Sequence, residues 1–143
     1  MNGGVMMKQL IVLIGVLPIL LVFLLQYTLD QRNNDDISRL QDYVYQAKEQ
    51  AKQQGCFTPE IREELIDNIE GYFDIKKEDM VIVLEEVPRY RTSVFDEREL
   101  IYYRVSVPIE KIMAGNRFFG IPDEENRAMY TIESWTASEL IRD

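Results

Sequence analysis

Histidine is absent from this chain of 143 residues, which removes the commonest general base and the commonest metal ligand together. Cysteine occurs once, as Cys56, so no intramolecular disulfide can form. Its neighbours Gly55 and Phe57 offer no base to activate the thiol. Outside the cytoplasm a lone cysteine is a candidate for pairing with another chain, but Cys56 reads better as a small buried hydrophobe. Clustered basic charge is also missing. Lys76, Lys77, Arg89 and Arg91 are scattered among carboxylates, and with 16 basic against 25 acidic residues the net charge is −9. Phosphate backbones and anionic lipid surfaces therefore have nothing to attract them, and nucleic acid is not an expected partner. No Gly-rich phosphate loop occurs, since Gly3 and Gly4 form only a short leader. Glu85 and Glu86 are adjacent in an expected strand and point to opposite faces, which rules out a carboxylate dyad. Glu124 and Glu125 read as a solvated loop pair, and Asp123, Glu124 and Glu125 lack the spacing of a calcium loop. An enzyme is the least supported class. No cofactor, metal or small-molecule substrate is expected.

What the chain does contain is one uncharged apolar run, residues 9–29. About 20 apolar residues suffice for a helix to cross the roughly 30 Å hydrocarbon core, and only a helix satisfies its own backbone there. The exit of the run, LLQYTLD, lacks the small residues that signal peptidase requires, so the span reads as a retained anchor. Lys8 and the terminal amine lie on one side, and Asp30, Asp35 and Asp36 with a single Arg32 lie on the other. This asymmetry predicts a single-pass protein of the cytoplasmic membrane, with the N-terminus inside and the C-terminal part outside. The expected organisation is a short cytoplasmic leader (1–8), a transmembrane helix (9–29), an amphipathic helix continuing it (30–54) and an extracytoplasmic α+β domain (55–143).

Beyond the apolar run, Ile37, Leu40, Val44, Ala47 and Ala51 recur at spacings of 3 and 4, the seam of a helix presenting a narrow apolar stripe. With no proline between Pro18 and Gly55, one helix is expected from about Lys8 to Gln54, on the order of 70 Å long at 1.5 Å per residue. Asn33 and Asn34 are its weakest point, and Gly55 is a stop in the left-handed cap position. Thr58, Pro59 and Glu60 open a second helix. Ile61, Leu65, Ile66 and Ile69 form its inner face and Gly71 its expected end. Residues 80–87, stopped by Pro88, read as a first strand. A long polar loop is expected over 88–97. LIYYRVSVPI then alternates, with Ile101, Tyr103, Val105 and Val107 inward and Tyr102, Arg104 and Ser106 outward. After a loop containing Gly115, Gly120 and Pro122, a third strand is expected at 128–136. The fold class is thus α+β: a long N-terminal helix packed on a small antiparallel three-stranded sheet, with one extra short helix.

Among the aromatic residues, Tyr43 and Tyr103 share faces with apolar neighbours and read as core. Tyr102, Arg104 and Trp135 are candidates for a contact surface. Pro18 inside the apolar run reads equally as a designed kink and as a tolerated transmembrane proline. Gly15 is the one small residue there that would let helices approach closely.

The leader MNGG before VMMKQLIVLIGVLPILLVF, the segment GCFTPEIREELIDNIEGYF, and the strand endings YYRVSVPIEKI and MYTIESWTASEL together resemble type IV pilin-like proteins. The resemblance is to the Tad-type, TadE-like branch of Gram-positive bacteria. It spans nearly the whole chain on loose motifs. It implies a prepilin peptidase as a partner, cutting between Gly4 and Val5, and an assembly helix whose fifth mature residue is Gln9. Load-bearing pilins commonly carry Glu there, pairing with the neighbouring subunit's N-terminus. Gln can hydrogen-bond but cannot form the ion pair, and Lys8 beside it is unusual, which points to a minor pilin, a pseudopilin or an uncleaved component of the same machine. Met6 and Met7 are alternative translation starts that would leave no leader. The implied partners are the lipid bilayer and other pilin-like or membrane-complex subunits, and the implied location includes a surface filament.

Two other classes remain open. One is a bitopic scaffold of a cell-envelope, secretion or conjugation complex, with the seam over 37–51 paired to another chain; at about two heptads the seam is short for a coiled coil and favours packing on its own sheet. The other is a membrane-tethered ligand-binding or sensory domain, with a pocket between the sheet and loop 115–126, whose stability would depend on ligand.

Overall fold

The computed structural model describes residues 2–91 and 99–141; most of the expected loop over 88–97 lies outside them. The elements are helix α1 (Asn2–Gln54), helix α2 (Pro59–Phe73), strand β1 (Val81–Leu84), strand β2 (Leu100–Glu110) and strand β3 (Arg127–Ala137). Single 3-10 turns occur at Lys77–Asp79 and Asn116–Phe119. β2 is the central strand. It pairs antiparallel with β1 in the register Val81 to Ser106 and Leu84 to Tyr103. On its other edge, Ser106 meets Thr131 while Tyr102 meets Trp135, so β3 runs antiparallel as well. The fold is α+β, as expected.

The chain divides into two compact units: Met1–Asn34 with Glu110–Ala128, and Asp35–Ile109 with Met129–Asp143. The boundary within α1 falls between Asn34 and Asp35, at the expected weak point, although the helix itself is continuous there and through Pro18. Its start lies at Asn2, six residues before the expected Lys8, because nothing in the leader interrupts the backbone ladder.

In the second unit the seam of α1 is the cover of the sheet. Leu40 and Ala51 are fully buried, Val44 and Ala47 nearly so, and Ile37 is half-buried at the end of the stripe. Leu40, Val44, Ala47 and Ala51 join Phe57, Ile61, Leu65 and Ile69 and the inward residues of β2 in one apolar cluster. α2 starts as expected: the Thr58 hydroxyl oxygen accepts from the Ile61 amide at 3.3 Å, and Pro59 occupies the first turn. Its end differs. Gly71 lies inside the helix, which stops at Asp74 in the left-handed region (φ 52°), where the Asp74 amide donates to Glu70. The apolar face continues to Phe73, which packs against the cluster, and this carries the helix past the glycine.

β1 is shorter than expected. The Glu85 amide still donates to Tyr102, but the Glu85 carbonyl accepts from Phe57 at 2.9 Å. This bond takes the chain out of the ladder before Pro88 is reached. On β2, Ser106 is 3% exposed, not solvent-facing as the alternation suggested. Its hydroxyl is 2.7 Å from that of Thr131, and on a central strand a small side chain is screened by both neighbours.

Gly55 ends α1 at φ 80°, and its backbone is also a junction. The Gly55 carbonyl accepts from Arg89 at 2.8 Å, and the C-terminal segment docks beside it through Glu139 to Lys52 and Arg91 to Leu140. A Cβ at Gly55 would lie 2.5 Å from the Arg89 carbonyl oxygen and 2.8 Å from Leu140.

Candidate functional site

In the first unit, α1 is long and apolar enough to cross a membrane, and none of its most apolar window is buried. Gly4, Val5 and Gln9 lie in its first turns with exposed positions, and nothing stands within 4 Å of a Cβ built at Gly15. Among the described residues nothing covers this half of the helix over most of its circumference.

One face differs. Val22, Gln26, Leu29 and Asn33, spaced 4, 3 and 4 apart, are half-buried, whereas Leu21, Phe23, Leu24, Leu25 and Tyr27 are more than half exposed. The covered face carries the segment after β2. The Gln26 amide nitrogen donates to the Ile112 carbonyl at 3.0 Å and its oxygen accepts from the Ala114 amide at 2.8 Å. Asn33 donates to the Lys111 carbonyl at 3.3 Å. Asn126, 4% exposed, holds both polar groups of Met113 at 2.9 Å. The sequence carried a signal for this attachment, an amide inside an otherwise apolar run, but nothing in it identified the partner.

In the second unit, the expected contact residues come together on the outward face of the sheet. The rings of Tyr102 and Trp135 are 5.4 Å apart at 51°, and Trp135 is 57% exposed. Arg104, the register partner of Val83, is exposed. The Tyr102 hydroxyl donates to Glu133 at 2.8 Å. That hydrogen bond, with desolvation and the carboxylate's charge, pushes the phenol above its ordinary range. Val81 and Val83 are also open on this face; only the strand register places them beside Tyr102 and Arg104.

The chemistry-bearing groups are dispersed. Cys56 is buried, and burial, followed by the nearby Glu86 charge, pushes its thiol up and away from the reactive thiolate. Glu85 and Glu86, expected in a strand, lie just beyond the end of β1 and pair with different cations, Arg89 and Arg62. Arg117 binds Asp123 and, with Asn116, holds that carboxyl below its usual range. Among the described residues no group of three or more His, Cys, Asp or Glu side chains converges on a metal-sized site. An open hollow of about 340 Å³ is lined by Gln50, Gln53, Gln54, Thr58, Glu60 and Ile61, without a converging reactive group. Comparison of the chain with protein-family models, with curated proteins and with solved structures gives no match.

Proposed function

We propose that this protein is a membrane-anchored, non-enzymatic subunit of the pilin-like kind, a minor pilin or pseudopilin of a Tad or type IV-like machine that assembles through its N-terminal helix. The observation that carries the reading is α1: 53 residues of unbroken helix, bare and apolar over its first part and packed by its seam against an antiparallel sheet over its second. A bare apolar helix requires lipid or like helices around it. The outward face with Tyr102, Arg104 and Trp135 then serves as a contact surface for neighbouring subunits. The mechanism is mechanical: helices pack side by side while the sheet presents a surface.

A second reading, a permanent bitopic scaffold, is favoured by Lys8 and by Gln9 standing where an ion-pairing Glu would assist assembly. Intact-mass analysis of the protein isolated from its native membrane separates the two. A chain beginning at Val5 is the expected result. A chain beginning at Met1, Met6 or Met7 overturns processing after Gly4 and puts the scaffold first.

A further inference from the structure

Loop 111–126 is irregular, yet its backbone is paired within its own unit at several places, chiefly where it attaches to α1. Ile112 and Ala114 are paired by Gln26, Met113 by Asn126, and Lys111 by Asn33. Beyond them, Phe118 donates to Gly115, Gly120 to Arg117 and Ile121 to Asn116. Gly115 and Gly120, at φ 67° and 76°, close the turn between them. Non-helical backbone within the hydrocarbon must be buried in protein or line a water-filled cavity, so a loop as open as this one belongs at the interface and not deeper.

The level of the loop follows from the face that it covers. The side chains that hold the loop run from Asn33 down to Gln26, three residues below Leu29, where the apolar run ends. At 1.5 Å per residue, that is about 5 Å below the end of the run, within the roughly 5–10 Å depth of the headgroup and acyl boundary. At the tip stand Phe118, 89% exposed, and Phe119, 56% exposed, with rings edge to face at 5.7 Å. The loop is close to neutral, with a net charge of −1 over 111–126. Lys111 and Arg117 stand against Asp123, Glu124 and Glu125, in a chain that is −9 as a whole. The repulsion that would keep the rest of the chain from a lipid surface is small here.

We infer that Phe118 and Phe119 insert into the interfacial layer of the bilayer leaflet at the C-terminal end of the apolar span, giving the protein a second hold on the membrane beside its helix. The inference rests on the reading of α1 as membrane-spanning. Phe side chains are among those that bury at the headgroup and acyl boundary, and Gln26 is the tether that fixes the loop there. Such a wedge sets the depth and rotation of the helix, which a lone apolar helix leaves free.

The test uses full-length protein reconstituted in phosphatidylcholine vesicles whose acyl chains carry bromine, a short-range fluorescence quencher. Trp135→Phe removes the one native tryptophan. Phe118→Trp then places a single probe at the tip, and Leu17→Trp in a companion protein places one in the middle of the apolar run. The expected result is blue-shifted emission and bromine quenching for both probes. Quenching at position 17 with unquenched, water-like emission at 118 overturns the inference and leaves the membrane reading intact. Blue-shifted but unquenched emission at 118 also overturns it, in favour of cover by another protein chain. No quenching at position 17 defeats the membrane reading and the inference with it. Phe119→Trp repeats the measurement from the adjacent ring, and circular dichroism matching the parent protein establishes that each variant is folded.

Discussion

Gly55 is the junction at which α1 ends against the Arg89 backbone and Leu140. It combines a left-handed backbone with an approach too close for any side chain. Gly55→Ala therefore carries about 1–2 kcal/mol for the backbone conformation and about 1–3 kcal/mol for overpacking against Arg89 and Leu140. A loss of at least about 2 kcal/mol is expected, read as a lowered midpoint in denaturant titration of the detergent-solubilised protein. Tyr102 gives a pH-dependent counterpart. Its phenol is raised by donating to Glu133, so the protonated form is favoured by folding. The contribution is fully present below the ordinary phenol range and is lost as pH rises through the folded value. Glu133→Gln should move the titration back toward the ordinary range, measured as the phenolate absorbance difference between each protein and its Tyr102→Phe variant. An unchanged titration would remove the hydrogen bond as the cause.

At the scale of elements, the seam of α1 decides between internal packing and a partner helix. Leu40 is fully buried inside its own unit, and Leu40→Ala should cost about 2–5 kcal/mol. Ile37→Ala, at the half-buried end of the stripe, should cost less. Because the packing is within one chain, both losses should be independent of protein concentration in thermal unfolding. A midpoint that rises with concentration would instead identify a seam completed by a second chain. The seam was legible from its 3 and 4 spacing, and so was the start of α2 from Thr58, Pro59 and Glu60. The ends of elements were less so. Asp74 rather than Gly71 closes α2, because the tertiary contact of Phe73 outweighs the local cost of glycine in a helix.

For the whole molecule, charge asymmetry across the apolar run governs orientation. Lys8 lies before the run, and Asp30, Asp35 and Asp36 lie after it, which predicts the sheet-bearing unit outside. Protease added to intact spheroplasts should cleave after exposed Lys and Arg residues of the C-terminal part while sparing an epitope at the N-terminus. The reverse pattern would invert the topology. The division of the chain into units was not legible. Segment 110–128 reads in sequence as one more polar loop of the sheet domain, yet it groups with the apolar helix, through side-chain amides whose partners lie more than 80 residues away.

The sequence by itself determined the apolar run, the helical seam, the cap at Thr58, three strands of which the second alternates, and the lack of any histidine. Each of these follows from residue spacing or residue type over a few turns or strand repeats. Only the tertiary structure decided that Ser106 is buried beside Thr131, that Val81 and Val83 join Tyr102, Arg104 and Trp135 on one face, and that Gln26 and Asn126 hold a loop with Phe118 and Phe119 at its tip. These depend on strand register and on hydrogen bonds between residues distant in the chain, and local pattern carries no information about which distant group will satisfy a given amide.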